Sequence, residues 1–237
     1  MNSPATWVEM PVVRRRCFLV RHGHVDYFTP EGQPLDPRTV SLSAIGKGQV
    51  DSLGAILQAV KLDRVICSDY PRAIQTANIL IAGSKLTAEV RHAFREARAG
   101  RLRDIAEGEL EEQFCYPFED MGSNQGSFLG GERWVDFRHR VITDFESLLA
   151  DSSWQNLLIV SHDAVNRVLL SWALGGSLEC AMGLEQDNAC LNVVDVDMQE
   201  GEVKRCFTRL INYTPYDAIK MADSRTVMER IYAQMRR

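Results

Sequence analysis

Three short apolar runs, each cut off by a polar turn, set the strongest limit on what this chain can fold into. They cover residues 17–20, 64–67 and 157–160, and the turns after them open with Arg21-His22, Ser68-Asp69 and Ser161-His162. Runs of this length with almost no polar side chain suit strands that are covered on both faces, as in a parallel sheet flanked by helices. In such a sheet the turns at the carboxyl ends of the strands are where ligands gather.

The segments between these runs carry helical spacing. Ile45, Val50, Leu53, Ile56, Leu57 and Val60 form one stripe, and Ala73, Ile74, Ala77 and Leu80 form the next. Residues 134–149 and 165–174 read as amphipathic helices, and residues 191–197 and 203–211 as later strands. Alternating strands and helices predict an α/β fold. We expect one domain over residues 1–237, a three-layer α/β/α sandwich around a central, mostly parallel sheet.

Residues 97–131 break the rhythm, being polar, rich in glycine and acid, and interrupted by Cys115-Tyr116-Pro117-Phe118 and Ser127-Phe128-Leu129. Long irregular insertions in compact domains are often functional, so this one is a candidate lid. Arg98, Arg101, Arg103, Tyr116, Phe118 and Trp134 are its candidates for substrate contact, with pairing of the arginines to Glu107, Glu109, Glu111 and Glu112 as the alternative. Near the end of the chain, Val227, Met228, Ile231 and Met235 predict a helix docked on its own domain, with a role in a homodimer left open.

A length of 237 residues is enough to bury a full core. A net charge of −5 argues against whole-surface attraction to nucleic acid or anionic membrane, so any anion site must be local. Arg14-Arg15-Arg16 followed by the first apolar run has the outline of a leader, but the run is shorter than the roughly 7–15 residues that a secretory signal needs. No run approaches the roughly 18 residues of a membrane span. Cys17, Cys67, Cys115, Cys180, Cys190 and Cys206 show no C-x-x-C pair and suit reduced core thiols. A cytoplasmic protein is expected.

The chemistry sits at the strand ends. Arg21-His22-Gly23-His24 offers an imidazole that can attack phosphorus, a glycine that lets backbone approach closely, and a guanidinium that forks onto phosphate oxygens. Pro71 fits a first helical position, which puts Arg72 in the first turn of a helix, where a bound anion would account for it better than helix stability does. The alternative for Arg72 is a surface pair with Asp69. His162 completes three convergent groups suited to the charge of a transferring phosphoryl group.

These motifs, in this order, resemble the histidine phosphatase superfamily, the phosphoglycerate-mutase-like group. Arg21-His22-Gly23, residues 42–49, Ser68 with Arg72-Ala73 and Thr76-Ala77, Phe94-Arg95-Glu96, Gly131-Glu132 and Ser161-His162 carry the likeness. The resemblance implies that His22 becomes phosphorylated, that Arg21, Arg72 and His162 bind phosphate, and that Glu96 gives a proton to the leaving oxygen. Glu96 follows Ala93-Phe94 and precedes the candidate lid, where partial loss of water would raise a carboxyl pKa toward neutrality.

Two departures bear on this. Mutases of the group commonly carry an acid after R-H-G and an asparagine soon after, whereas this chain has His24 and then Tyr27-Phe28. His162-Asp163 resembles the acid-bearing pair of the acid phosphatase and phytase branch, so Asp163 is a rival proton donor. The expected activity is hydrolysis of a small-molecule phosphomonoester, with a mutase or a retired phospho-ligand-binding module as alternatives. No His, Cys, Asp or Glu cluster has metal spacing, so neither metal nor other cofactor is expected. The expected partner is a phosphorylated small molecule, not nucleic acid or membrane.

Overall fold

The computed structural model describes residues 12–236. In chain order the elements are β1 (Val13–Arg21), α1 (Ala44–Leu57), β2 (Arg64–Cys67), α2 (Pro71–Leu80), β3 (Ala88–Val90), α3 (Leu110–Cys115), α4 (Trp134–Ala150), β4 (Asn156–Ser161), α5 (Asp163–Ala173), α6 (Glu179–Met182), β5 (Leu191–Gln199), β6 (Glu202–Tyr213) and α7 (Val227–Met235). Six strands form one sheet in the order β3-β2-β4-β1-β5-β6. The four strands β3, β2, β4 and β1 run parallel, and β5 and β6 add an antiparallel edge.

The apolar runs are buried on both faces, as their composition requires. Cys17 and Leu19 of β1, Ile66 of β2 and Leu157 and Ile159 of β4 join the core under α4 and α5. Their neighbours Phe18, Val20, Val65, Cys67, Leu158 and Val160 join a second core with α1 and α2. Alternation along each strand therefore feeds two apolar layers, and the α/β/α sandwich follows.

Strand β1 is longer than its apolar run. Arg14, Arg15 and Arg16 are part of it, with Arg14 opposite Asp197 and Arg16 opposite Asp195 in the antiparallel register with β5. The pairs close at 2.7 and 2.6 Å. Arg15 points to the other face and donates to the carbonyls of Leu149 and Asp151. Cross-strand charge pairing thus extends the strand past its apolar part.

The inward face of α1 is Gly46, Val50, Leu53, Gly54 and Leu57, whereas Ile45 and Ile56 are 65% and 40% exposed. Two expected stripe residues thus lie off the face, where Gly46 instead meets the backbone of His24 and Gly54 the Leu80 side chain of α2. Of the thiols, Cys17, Cys67, Cys115 and Cys190 are buried, Cys206 is half-buried, and Cys180 is exposed, contrary to the expectation of core thiols throughout.

The insertion between Glu96 and α4 is anchored by its apolar residues. Phe118, Phe128 and Trp134 cluster with ring centroids 5.6–6.1 Å apart. Phe118 and Trp134 are buried core residues, not rim residues as their setting suggested. Arg98 and Arg103 pair with Glu132 and Asp104 instead of the expected acids. Helix α7 begins with a capping box of Thr226 and Glu229 and docks Tyr232 against Phe114 of α3. Among the described residues no helix is long and apolar enough to cross a membrane.

Candidate active site

The register of the parallel strands brings three turns together: Arg21 lies opposite Ser161, and Cys67 opposite Val160. The residues that follow, His22, Ser68 and His162, therefore emerge at one end of the sheet. His22 stays tied to the sheet, its N–H donating to Ser161 O at 3.0 Å and its carbonyl accepting from Ala189 N at 3.0 Å.

The imidazole of His22 is buried. Its Nδ1 lies 2.7 Å from the carbonyl oxygen of Gly23, which can only accept, so Nδ1 carries the hydrogen. Its Nε2 accepts from Arg72 Nε at 3.0 Å. One tautomer satisfies both contacts, and it leaves a lone pair on Nε2. Burial, then the charges of Arg72 and Arg21, hold the ring neutral, with its pKa well below the ordinary histidine value.

Pro71 opens α2, as its position in the sequence suggests, and Arg72 in the same turn is buried. Its guanidinium spans the site. Besides His22 it reaches the Pro37 carbonyl and His162 Nδ1, the latter at 3.2 Å. Asp69, the alternative partner for Arg72, is taken by Arg95 at 2.7 Å and His92 at 3.0 Å. The Tyr70 ring lies 4.9 Å from the Arg72 guanidinium carbon.

His162 is fully buried between β4 and α5. Arginine can only donate, so His162 Nδ1 accepts and its Nε2–H donates to Ser68 Oγ at 2.8 Å. Burial, then Arg72, pushes this ring's pKa well below the ordinary value too. The two imidazoles meet edge to face with centroids 5.2 Å apart.

Arg21 is buried, donates to the Gln186 carbonyl, and lies 3.3 Å from Asp163 Oδ2, while its Nε has no hydrogen-bond partner in the protein. A buried guanidinium with an unused donor is suited to an incoming anion. Asp163 is held on its other oxygen by Arg167 Nε at 2.6 Å. Glu96 is partly buried and accepts from Ala97 N at 3.0 Å. Burial, then the Asp163 charge, pushes its carboxyl up to about 7, with Arg21 and Arg72 opposing. Glu96 thus lies within the field of the same cluster.

Two parts of the site escaped the sequence reading. Gln186 links Arg21 to an amide network, accepting from Asn192 Nδ2 at 2.7 Å and from Asn166 Nδ2 at 3.2 Å. A cavity of about 490 Å³ also reaches His24, two residues beyond His22, and is walled by Gln49, Asp187, Tyr216, Lys220 and Arg230. The segment before α7 therefore lines a cavity with the turn that follows His22. Among the described residues no group of three His, Cys, Asp or Glu side chains could hold a metal ion.

A family model described as "Histidine phosphatase superfamily (branch 1)" matches residues 17–208. An adenosylcobalamin/alpha-ribazole phosphatase of Escherichia coli (strain K12) is 24% identical over 203 residues, 83% of this chain and 97% of that protein. A Proteus mirabilis protein named "Probable phosphoglycerate mutase GpmB" is 27% identical over 75% of this chain and 83% of its own length. The crystal structure of the alpha-ribazole phosphatase from Shigella flexneri superposes with a TM-score of 0.66 at 25% identity, covering 83% of this chain and 96% of that one.

Proposed function

The chain belongs to the histidine phosphatase superfamily, branch 1, and from that premise we propose that it hydrolyses a small-molecule phosphomonoester in two steps through a phosphohistidine on His22. The observation that carries this reading is the tautomer of His22: Nδ1–H is tied to Gly23 O, so the lone pair is on Nε2, between buried Arg72 and His162.

In the first step Nε2 attacks phosphorus and the P–O bond to the alcohol breaks. Arg72 turns from Nε2 to the phosphoryl oxygens, joined by Arg21 and His162. Glu96, whose carboxyl is pushed up to about 7, keeps a large protonated fraction at neutral pH, and in that form it gives its proton to the departing oxygen. In the second step water attacks phosphorus, the Glu96 carboxylate takes the water's proton, and His22 is released. Asp163, the rival donor, is engaged by Arg167 and Arg21. This reading gives it an electrostatic part, as the charge that raises Glu96.

Relatives named as phosphatases of small phosphorylated molecules support the substrate class. In the cavity beside His24 the cations are already paired, Lys220 and Arg230 with Asp187, and Arg225 with Asp223. A leaving group that reaches this cavity would find its cations engaged, which favours an uncharged polar group there over a second phosphate.

The test is phosphate release in excess chelator from p-nitrophenyl phosphate, ribose phosphate, adenosine monophosphate, glycerol phosphate and phosphoglycerate, comparing wild type with His22→Ala. Release by wild type that disappears in the variant is expected. Phosphoglycerate isomerised without free phosphate would replace hydrolysis with the mutase reading that one group of relatives suggests. Release that survives in His22→Ala would overturn the mechanism.

A further inference from the structure

Glu96 lies on a stretch after β3 that has no regular hydrogen-bonded ladder of its own, yet a proton donor must be held to within a fraction of an ångström. What holds this stretch is Arg140, in the second turn of α4. Its Nη1 donates to the carbonyls of Ala93 at 2.6 Å and Arg95 at 3.0 Å, and its Nη2 donates to the carbonyl of Glu96 at 3.2 Å. The same guanidinium forks onto Glu132, Nε to Oε1 at 2.8 Å and Nη2 to Oε2 at 3.0 Å.

Glu132 closes the other side. Its Oε2 accepts from Arg98 N at 3.1 Å, and its own N–H donates to Arg98 O at 2.8 Å. Backbone groups of residues 93, 95, 96 and 98 are thus tied to one ion pair, on both sides of the residue that carries the carboxyl. The Arg140 guanidinium also lies 4.5 Å over the Phe137 ring, and the Glu132 side chain is only 6% exposed. A pair this engaged on backbone carbonyls differs from a surface salt bridge, which holds little. Only the planar fork of arginine can serve three carbonyls and a carboxylate together.

We propose that Arg140, seated on Glu132, is the positioning residue that aims Glu96 at the leaving oxygen, a role that rests on the reading of Glu96 as proton donor. Arg140 touches neither substrate nor the reacting atoms. Its loss should therefore appear where the proton is needed and not elsewhere.

The experiment compares kcat/KM for p-nitrophenyl phosphate, whose phenolate leaves without a proton, with that for the fastest alkyl ester of the panel above. Arg140→Met and Glu132→Gln are measured beside Glu96→Gln. Both clamp variants are expected to lose about 10²-fold on the alkyl ester and no more than about fivefold on the aryl ester, in the pattern of Glu96→Gln. Glu132→Gln keeps size and an acceptor for Arg98 N, so it carries the test if Arg140→Met does not fold. If Glu96→Gln shows the pattern and folded clamp variants lose equally on both esters, or not at all, the positioning role fails alone. If Glu96→Gln itself falls equally on both esters, the proton-donor reading fails and takes this inference with it.

Discussion

Gly23 and Gly46 meet with no room between them for a side chain: a Cβ on Gly23 would lie 2.6 Å from Gly46 O, and one on Gly46 would lie 2.1 Å from His24 O. The turn that carries His22 is thus pressed against the first turn of α1. Ser43 completes the contact, capping α1 through Gly46 N while its own N–H donates to His24 O at 3.0 Å.

Gly46→Ala should therefore run against helix propensity. Alanine inside a helix is favoured over glycine by about 1 kcal/mol. Here the added methyl meets backbone that must shift, an overpacking penalty of about 1–3 kcal/mol. A lower melting temperature and slower phosphate release are expected; a variant more stable than wild type with full activity would refute the contact.

The pH dependence follows from Glu96 and His22. In the proposed mechanism the first step needs Glu96 protonated and His22 neutral. With Glu96 pushed up to about 7, kcat/KM on an alkyl ester should fall about tenfold per pH unit above that value. His22 stays neutral to well below the ordinary histidine range, so its acid limb lies far lower. A profile whose alkaline limb survives unmoved in Glu96→Gln would assign that limb to another group.

Stability should carry the same signature. Folding raises the proton affinity of Glu96, so between the ordinary carboxyl range and about pH 7 the folded chain keeps a proton that the unfolded chain has released. That contribution to stability is full at low pH and is lost as pH rises. Glu96→Gln should thus melt higher than wild type at pH 8, by about 2–4 °C for each kcal/mol of burial penalty removed. The gap should close below about pH 4. An equal gap at both pH values would mean that packing, not charge, is the cause.

Trp134 tests the insertion. Its ring is 0% exposed, its Nε1 donates to Asp120 Oδ1 at 2.6 Å, and Phe118, Phe128 and Phe137 surround it. Trp134→Ala should cost about 3–5 kcal/mol, read from the denaturant midpoint. Unchanged stability with a raised KM would return this residue to the substrate rim.

The sheet was legible because four-residue apolar runs have few other uses, and because β1, β2 and β4 alternate cleanly between two cores. The cluster of two arginines and two histidines was legible because Arg21, His22, Arg72 and His162 each follow such a run closely. Phe118 and Trp134 misled because aromatics in a polar, glycine-rich stretch look solvent-facing until their partners, distant in sequence, are known. Gln186, Asn166 and Asn192 gave no signal, since neutral amides 20 and 6 residues apart form a network only when folded. Arg140 likewise reads as the charged face of an amphipathic helix, and nothing in its spacing announces three carbonyls.

The bond from Arg72 Nε to His22 Nε2 also governs how the resting enzyme meets its surroundings. An imidazole with a bare lone pair would be open to acylating agents and stray divalent ions. Here that lone pair is covered by a guanidinium, a donor without a lone pair to offer, whose charge repels metal ions. A dianionic ester can draw the guanidinium away because it offers more charge than the ring does, whereas a neutral electrophile cannot. In the proposed mechanism the residue that holds the phosphate thereby also sheathes the nucleophile between turnovers.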